Sequence, residues 1–479
     1  MPAYSANGRA IFERGNGLAF PNPGNPSPNA PVIYFHWFSW LLGFGIVKFG
    51  FDAGMQFVIV GVFASLLCSW LTLLLVEQVL PSRQFKWLLF LLTMWGGGIL
   101  CVERIYANLL AGNSPTYMLL YNDPGEGWWF LNWGRNLLFP TEATYHAVVA
   151  ACWLAVVTGH WWLATFAAAG MGMTHPFTGF QVLLIMVVWS GLNVIRQPGR
   201  QAITRFVPVA SLLAAFLGYH FIFLERYEEH RIVREQMSVA WCLTANSEVM
   251  AYGAVGFLAA CRLLLDRRVN ASTGFFVVAF LVSFVLANHQ WFFVPIQPLH
   301  FTRGYIWMPL CLLALPLVQR GLGYLRGTLP RAMFAGFVFL MSMITVSDNA
   351  AFLFYYWRVP SLGIVITDAQ WDMLRWMKNE GLQGEFVASD EQLTYLASTY
   401  TSVRSYYSHW QHTPSYDRRR REAAAWFAKG GRREWLREID YLLIERNSAA
   451  TVLGKLAAAD PRHWKILYEN PQLTLLGHD

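Results

Sequence analysis

Charge is what this sequence has least of. Asp, Glu, Lys and Arg make up 14% of its 479 residues, against about 25% in an ordinary soluble protein, which speaks against a wholly water-soluble chain. Cysteine is scarce as well, and 6 Cys in a chain of this length exclude a disulfide-stapled scaffold. Cys68, Cys152, Cys261 and Cys311 sit inside apolar runs, Cys101 ends another, and only Cys242 lies in a polar stretch, so no disulfide is expected. Residues 1 to 30 lack the apolar centre of a signal peptide. What the chain has in quantity is apolar and aromatic: 55% hydrophobic and 16% aromatic residues, with 22 Trp. Disorder and collagen are excluded by that share of large apolar side chains, and Trp at this level suits a protein that meets lipid headgroups.

Hydropathy divides the chain into a polar N-terminal segment (1–53), an apolar body (54–347) and a mixed tail (348–479). Apolar runs at 54–76, 88–101, 177–195, 207–224, 249–265, 274–294, 304–320 and 332–347 read as membrane helices. Several are shorter than the roughly 20 residues a perpendicular crossing needs. The stretch 145–173 is broken by Gly159-His160-Trp161-Trp162 and reads as two short helices, for about ten spans in all. Lys and Arg are retained on the cytoplasmic side. They gather in the loops at 77–87, 196–206, 262–273 and 320–331, which are expected inside; those at 102–144, 225–248 and 295–303 are expected outside. Ten spans then place both termini outside. The tail's 16 basic and 16 acidic residues cancel, so the formal charge of +7 belongs to the membrane part and gives no reason to expect a nucleic-acid partner. An external N-terminus carrying Arg9, Arg14 and Lys48 has no helix ahead of it. The reading frame is therefore expected to begin inside a longer protein whose first span preceded Met1.

Gly15 to Pro31 packs five Pro among Asn and Gly, which rules out a helix or a central strand. With the residues from Pro2 onward it is expected to form one external loop. Val32 to Gly50, with His36, Trp37 and Trp40 near its start, suits a helix lying in the interface better than one crossing the membrane. In the tail, Asp368 to Glu380 has helical periodicity opened by an Asp cap. Glu385 to Ser389, Ile439 to Ile444 and Trp464 to Leu476, the last divided by Asn470-Pro471, read as strands ending in a hairpin. Helical segments at Arg418 to Lys429 and Ala449 to Ala459 alternate with them. The fold expected is thus a polytopic α-helical membrane protein with a small C-terminal extracytoplasmic α/β domain.

The chemistry-bearing residues concentrate in the second external loop, YNDPGEGWWFLNWGRNLLFPTEATYH. Asp123, Glu126 and Glu142 are carboxylates able to take a proton from a hydroxyl, and Trp128, Trp129 and Trp133 can stack on a sugar ring. The alternative is a Trp-rich interfacial loop with solvated charges. Arg135 and Arg303 offer the guanidinium fork that suits a lipid phosphate, with snorkelling as the alternative for Arg303. Thr174-His175-Pro176 either lines a polar cavity or closes a tight helical hairpin around a satisfied His. His36, His146 and His300 have no partner at metal-ligand spacing, and His409 with His412 is one pair without a third ligand, so no zinc site is expected. Arg418 to Arg421 reads as a solvated helical face, or as a contact to anionic headgroups.

An external loop ending in NAPVIYF, an interfacial helix, about ten short spans and an α/β tail together resemble the C-type (GT-C) membrane glycosyltransferases. That family includes the protein mannosyltransferases and the bacterial lipid A sugar transferases, and the resemblance covers most of the chain as architecture. It implies transfer of a sugar from a polyprenyl-phosphate donor to an acceptor at the outer face of a membrane, in a bacterium the inner (plasma) membrane. A carboxylate in the first external loop would act as base or metal ligand, so a divalent metal is compatible and no other cofactor is expected. Family members carry an Asp early in that loop, whereas here no Asp precedes Asp52. Glu13 is the acid that remains in the loop proper, and a truncated start accounts for the missing Asp. Two other readings stand beside this one. A transporter or flippase calls for charges along an intramembrane pathway, which the span cores lack; an inactive or accessory member of the transferase fold also accounts for the missing Asp. The sugar and the acceptor are not legible.

Overall fold

A computed structural model describes residues 2–22, 24–25, 27–98, 106, 108–113, 132–266, 270–358, 366–410 and 412–478. The chain forms two compact units, one of Met1–Ile59, Tyr219–Met237 and Pro360–Asp479 and the other of Val60–Gly218 and Ser238–Val359.

The second unit is helical and apolar. Among the described residues five helices are long and apolar enough to cross a membrane: Ala53–Val79, which begins in the first unit, Pro176–Arg196, Arg200–Arg226, Ala245–Leu265 and Trp307–Thr328. Lys86–Trp95, Ala271–Ala287 and Arg331–Ile344 are apolar but shorter. Ala53–Val79 shows the pattern of a lipid-facing helix, with Cys68, Leu71 and Leu75 buried while Phe63, Leu66 and Trp70 stand exposed. It is apolar on every side, which water would not favour.

The region expected as a broken span consists of Pro140–Val157 and Trp161–Gly172, separated by a turn in which Gly159 takes φ +82°, a conformation that costs glycine little. Pro140–Val157 starts before the apolar run does. Pro140 occupies the first helical turn, where its missing N–H is no loss, and the polar residues that follow are buried. The last apolar run continues as one helix, Arg331–Arg358, through the body-to-tail boundary expected at 347. Hydropathy falls at Asp348-Asn349, but Asn349 is buried and accepts two side-chain hydrogen bonds, so the helix need not end there.

In the first unit a five-stranded sheet has the order β2-β1-β3-β5-β4, with β1 Gln383–Ala388, β2 Ser402–Ser405, β3 Tyr441–Glu445, β4 Trp464–Glu469 and β5 Leu473–His478. β1 runs parallel to β2 and β3, and β5 is antiparallel to β3 and β4. The strands alternate in which face they load. Phe386, Ala388, Leu443 and Leu475 pack with the helices Asp368–Asn379 and Glu391–Tyr400. Val387, Leu442, Ile444 and Leu476 pack with Tyr416–Lys429 and Ala449–Ala459. A sheet covered on both faces explains why β3 reads as a continuous apolar run. The edge strand β2, SVRS, was not expected; it is short, and its polar side chains conceal its alternation. The helix Asp368–Asn379 is capped by Thr367 in a capping box with Gln370, not by Asp368.

The N-terminal expectation needs a larger correction, because Pro2–Glu13 is a helix and not part of the external loop. Ser5, Asn7 and Arg9 are buried along with Ala6, Ala10 and Ile11, so no one-sided periodicity marks it. It packs on the helix Trp37–Gly43. At the crossing a Cβ on Gly43 would lie 2.0 Å from the Gly8 carbonyl oxygen; only a glycine pair permits so close a backbone approach. It also packs on Glu391–Tyr400, with the Ala3 amide donating to the Tyr395 hydroxyl at 3.2 Å. The Pro-rich stretch is an ordered loop, held by the Phe20–Tyr34 bridge and by Arg14 Nη2 donating to the Asn25 carbonyl at 2.9 Å.

Glu385 on β1 gives this unit a pH dependence. Burial raises its carboxyl to about 7, with Arg404 at 3.8 Å opposing the shift. The folded chain therefore binds a proton that the unfolded chain, with an ordinary value of 4.5, has released. The stabilisation is complete below that ordinary value and is lost as pH rises through about 7. The melting temperature of the full chain in detergent should fall between about pH 5 and pH 8, and Glu385→Gln should flatten that dependence. An unaltered slope in the variant would assign it to another group.

Candidate functional site in the helical unit

The short helix Trp133–Asn136 is capped by Asn132, whose side chain accepts from the Arg135 amide at 3.0 Å. It carries Trp133, Arg135 and Asn136 into the interior, all fully buried. Pro140–Val157 follows and turns Glu142 and His146 inward from its first turns. A third contribution comes from the segment before Trp307–Thr328, where Gln297, Arg303 and Gly304 have φ of +44°, +21° and +78°. Two non-glycine residues in left-handed conformations within one buried segment store backbone strain, a pattern that concentrates at functional sites. Gly304 cannot be replaced without movement, because a Cβ there would lie 2.3 Å from Trp133 Cδ1.

These elements assemble a buried polar cluster. Arg303 Nη1 donates to Glu142 Oε1, and Arg303 Nη2 meets His300 Nδ1. The Arg303 carbonyl lies 2.8 Å from His146 Nε2. Burial and the adjacent guanidinium push His300 well below its ordinary value, so its neutral ring can accept from Arg303. Phe177 stacks on His300 at 4.7 Å, and the His175 and Trp241 rings lie 5.9 and 5.6 Å away. Glu142 Oε2 is buried and has no hydrogen-bond partner among the described residues. With Oε1 fixed by Arg303, the proton-accepting capacity of the carboxylate resides at Oε2. Thr174-His175-Pro176 closes the hairpin between Trp161–Gly172 and Pro176–Arg196, with His175 Nδ1 accepting from the Thr178 amide at 3.2 Å.

The expected site residues fare differently. Glu142 and Arg303 come together as an ion pair with both side chains buried, so Arg303 serves Glu142 in this arrangement and is not a snorkelling residue. Arg135 is also fully buried, with Nε donating to Asn349 Oδ1 at 2.7 Å. Trp133, expected to offer a stacking face, is fully buried against His146, Trp153 and Tyr305. Its ring is core packing, because the short helix that Asn132 caps is itself buried. Asp123, Glu126, Trp128 and Trp129 lie outside the described residues.

Glu13 belongs to the first unit, where it ends the helix Pro2–Glu13. It accepts from Arg9 Nη2 at 2.5 Å and from the Ser402 hydroxyl at 3.2 Å, and burial raises its carboxyl despite Arg9. It is therefore a helical ion-pair residue and not a loop acid. Sequence reasoning missed His300 and Asn349 as partners of the two arginines. The signal for His300 was its spacing three residues before Arg303; Asn349 had none beyond its polarity in an apolar run.

His36 caps the helix Trp37–Gly43 by accepting from the Ser39 amide at 3.1 Å, and burial lowers it to about 3. Among the described residues no group of His, Cys, Asp and Glu is placed to hold a metal ion, and the described cysteines are free thiols. No family model matches this sequence, and no curated protein matches it. The chain is thus a protein with apolar helices of membrane-crossing length, a small C-terminal sheet and, in its helical unit, a Glu142–Arg303–His300 cluster.

Proposed function

We propose that the chain is a polytopic membrane glycosyltransferase of the C type. It moves a sugar from a polyprenyl-phosphate donor to an acceptor hydroxyl at the outer face of a bacterial inner membrane. The observation that carries this reading is Glu142, a buried carboxylate held through Oε1 by Arg303, with Oε2 unpaired among the described residues. Glu142 takes the proton of the acceptor hydroxyl, the acceptor oxygen bonds to the anomeric carbon, and the sugar–phosphate bond breaks, leaving its electron pair on polyprenyl phosphate. Arg303 positions the base, and His300 meets the other terminal nitrogen of the guanidinium. About ten spans place the loop of Arg196 to Arg205 inside and the tail outside.

A carrier or flippase is the second reading, favoured by the same ion pair, since buried charges in a helical membrane body also mark transport pathways. Reconstitution into liposomes with polyprenyl-phosphate sugars separates the two. The transferase releases polyprenyl phosphate and glycosylates an acceptor; lipid crossing the bilayer with its sugar–phosphate bond intact identifies a carrier. In intact cells, single-cysteine variants at Gln201 and Ser415 in a cysteine-free background report topology through an impermeant reagent. Reaction at Gln201 but not at Ser415 from the outer side would defeat the proposed orientation.

A further inference from the structure

The first unit contains a cavity of about 170 Å³ unrelated to the carboxylate cluster. Its lining brings Arg9, Arg375 and Lys378 together with Asp52, Trp371 and Tyr400, so cations outnumber the single acid. Arg9 is 7% exposed, and although Nη2 is taken by Glu13 and Ser402, its Nε is buried without an acceptor among the described residues. A buried guanidinium N–H left without an acceptor is costly, and the simplest remedy is an anion in the space it lines. Arg375 and Lys378 are exposed at the rim, with the Arg375 guanidinium 5.7 Å from the Trp371 ring.

The cavity's position along the chain narrows the anion's identity. Asp52 immediately precedes Ala53–Val79, a helix long and apolar enough to cross a membrane, and its Oδ1 accepts from the Met55 amide at 2.8 Å. Phe49, Phe51 and Met55 beside it are exposed. The start of a helix of crossing length lies at the headgroup level, where the abundant anion is phosphate.

We infer that this cavity is a phosphate-binding site, taking either the headgroup phosphate of an anionic phospholipid or free phosphate. The inference does not rest on the transferase reading, because it concerns binding alone. The full chain in zwitterionic detergent is titrated by calorimetry with inorganic phosphate, with dihexanoylphosphatidic acid, and with dihexanoylphosphatidylcholine as the neutral control. Arg375→Gln with Lys378→Gln removes two exposed rim charges without touching the core and should weaken phosphate binding about tenfold or more, one charged contact being worth about that factor. Asp52→Asn should strengthen it severalfold: Asn caps a helix as well as Asp does, while a repelling charge is lost. Binding should weaken with added salt. Phosphatidic acid binding without inorganic phosphate binding identifies a lipid site, and comparable binding of both identifies a site for the phosphate group itself. No binding of either probe, tighter binding of the neutral control, or affinities unmoved by both substitutions overturns the inference.

Discussion

Glu142→Gln should slow sugar transfer by about 10²-fold to 10⁴-fold, the loss typical of a removed positioned base, while folded protein is still recovered from the membrane. The two outcomes separate because glutamine keeps an oxygen where Oε1 now accepts from Arg303 Nη1. The hydrogen bond survives as a neutral acceptor, and the proton-accepting capacity at Oε2 does not. The measurement is single-turnover release of polyprenyl phosphate from reconstituted protein, normalised to folded protein by gel filtration. Glu13→Gln serves as the control, since Glu13 pairs with Arg9 and Ser402 in the other unit and its loss should leave turnover within about twofold. Turnover of Glu142→Gln within that same range would remove Glu142 from the mechanism.

Arg303→Met should destabilise the helical unit by about 3–5 kcal/mol, because breaking a buried pair from one side leaves an uncompensated charge. Here the orphan is the Glu142 carboxylate, which is nearly inaccessible to water. Glu142→Leu combined with Arg303→Met should recover most of the loss, since replacing both ions by apolar groups removes the desolvation cost along with the attraction. Chemical denaturation in detergent, followed by Trp fluorescence, reads both variants. A single variant within about 0.5 kcal/mol of the parent would mean that water or lipid already compensates the carboxylate. Comparing the two experiments is informative, since the double variant should be folded but without transfer.

How far these features were legible depends on whether a residue's environment is local. Ala53–Val79 and Pro176–Arg196 announce themselves by composition, because a helix in an apolar medium needs only apolar side chains. The hairpin of β4 and β5 was legible from Asn470-Pro471 between two short apolar runs, and Ala449–Ala459 was found to the residue. Pro2–Glu13 was hidden because it is buried on nearly all sides, and a distant partner of its arginine, Ser402, lies at a separation of 393. Glu142 and Arg303 were each legible as candidates. Their pairing was not, because it depends on the left-handed turn at Arg303-Gly304 and on the inward cap at Asn132, and neither leaves a periodic trace. Trp133 shows the converse error: a Trp beside charged residues suggested a ligand surface, whereas packing against Trp153 and Tyr305 made it core.

The helix Pro2–Glu13 also sets a schedule for biosynthesis. Its Ala3 amide binds Tyr395 at a separation of 392 residues, and Arg9 binds Ser402 at 393. At roughly 5 to 20 residues per second of translation, the first helix emerges about 20 to 80 s before its partners exist. During that interval Ala10 and Ile11 can pack with Phe20 and Tyr34, and the helix can meet Trp37–Gly43 through the Gly8–Gly43 contact. That glycine pair is thus a contact open to the nascent chain before the strand bearing Ser402 is made.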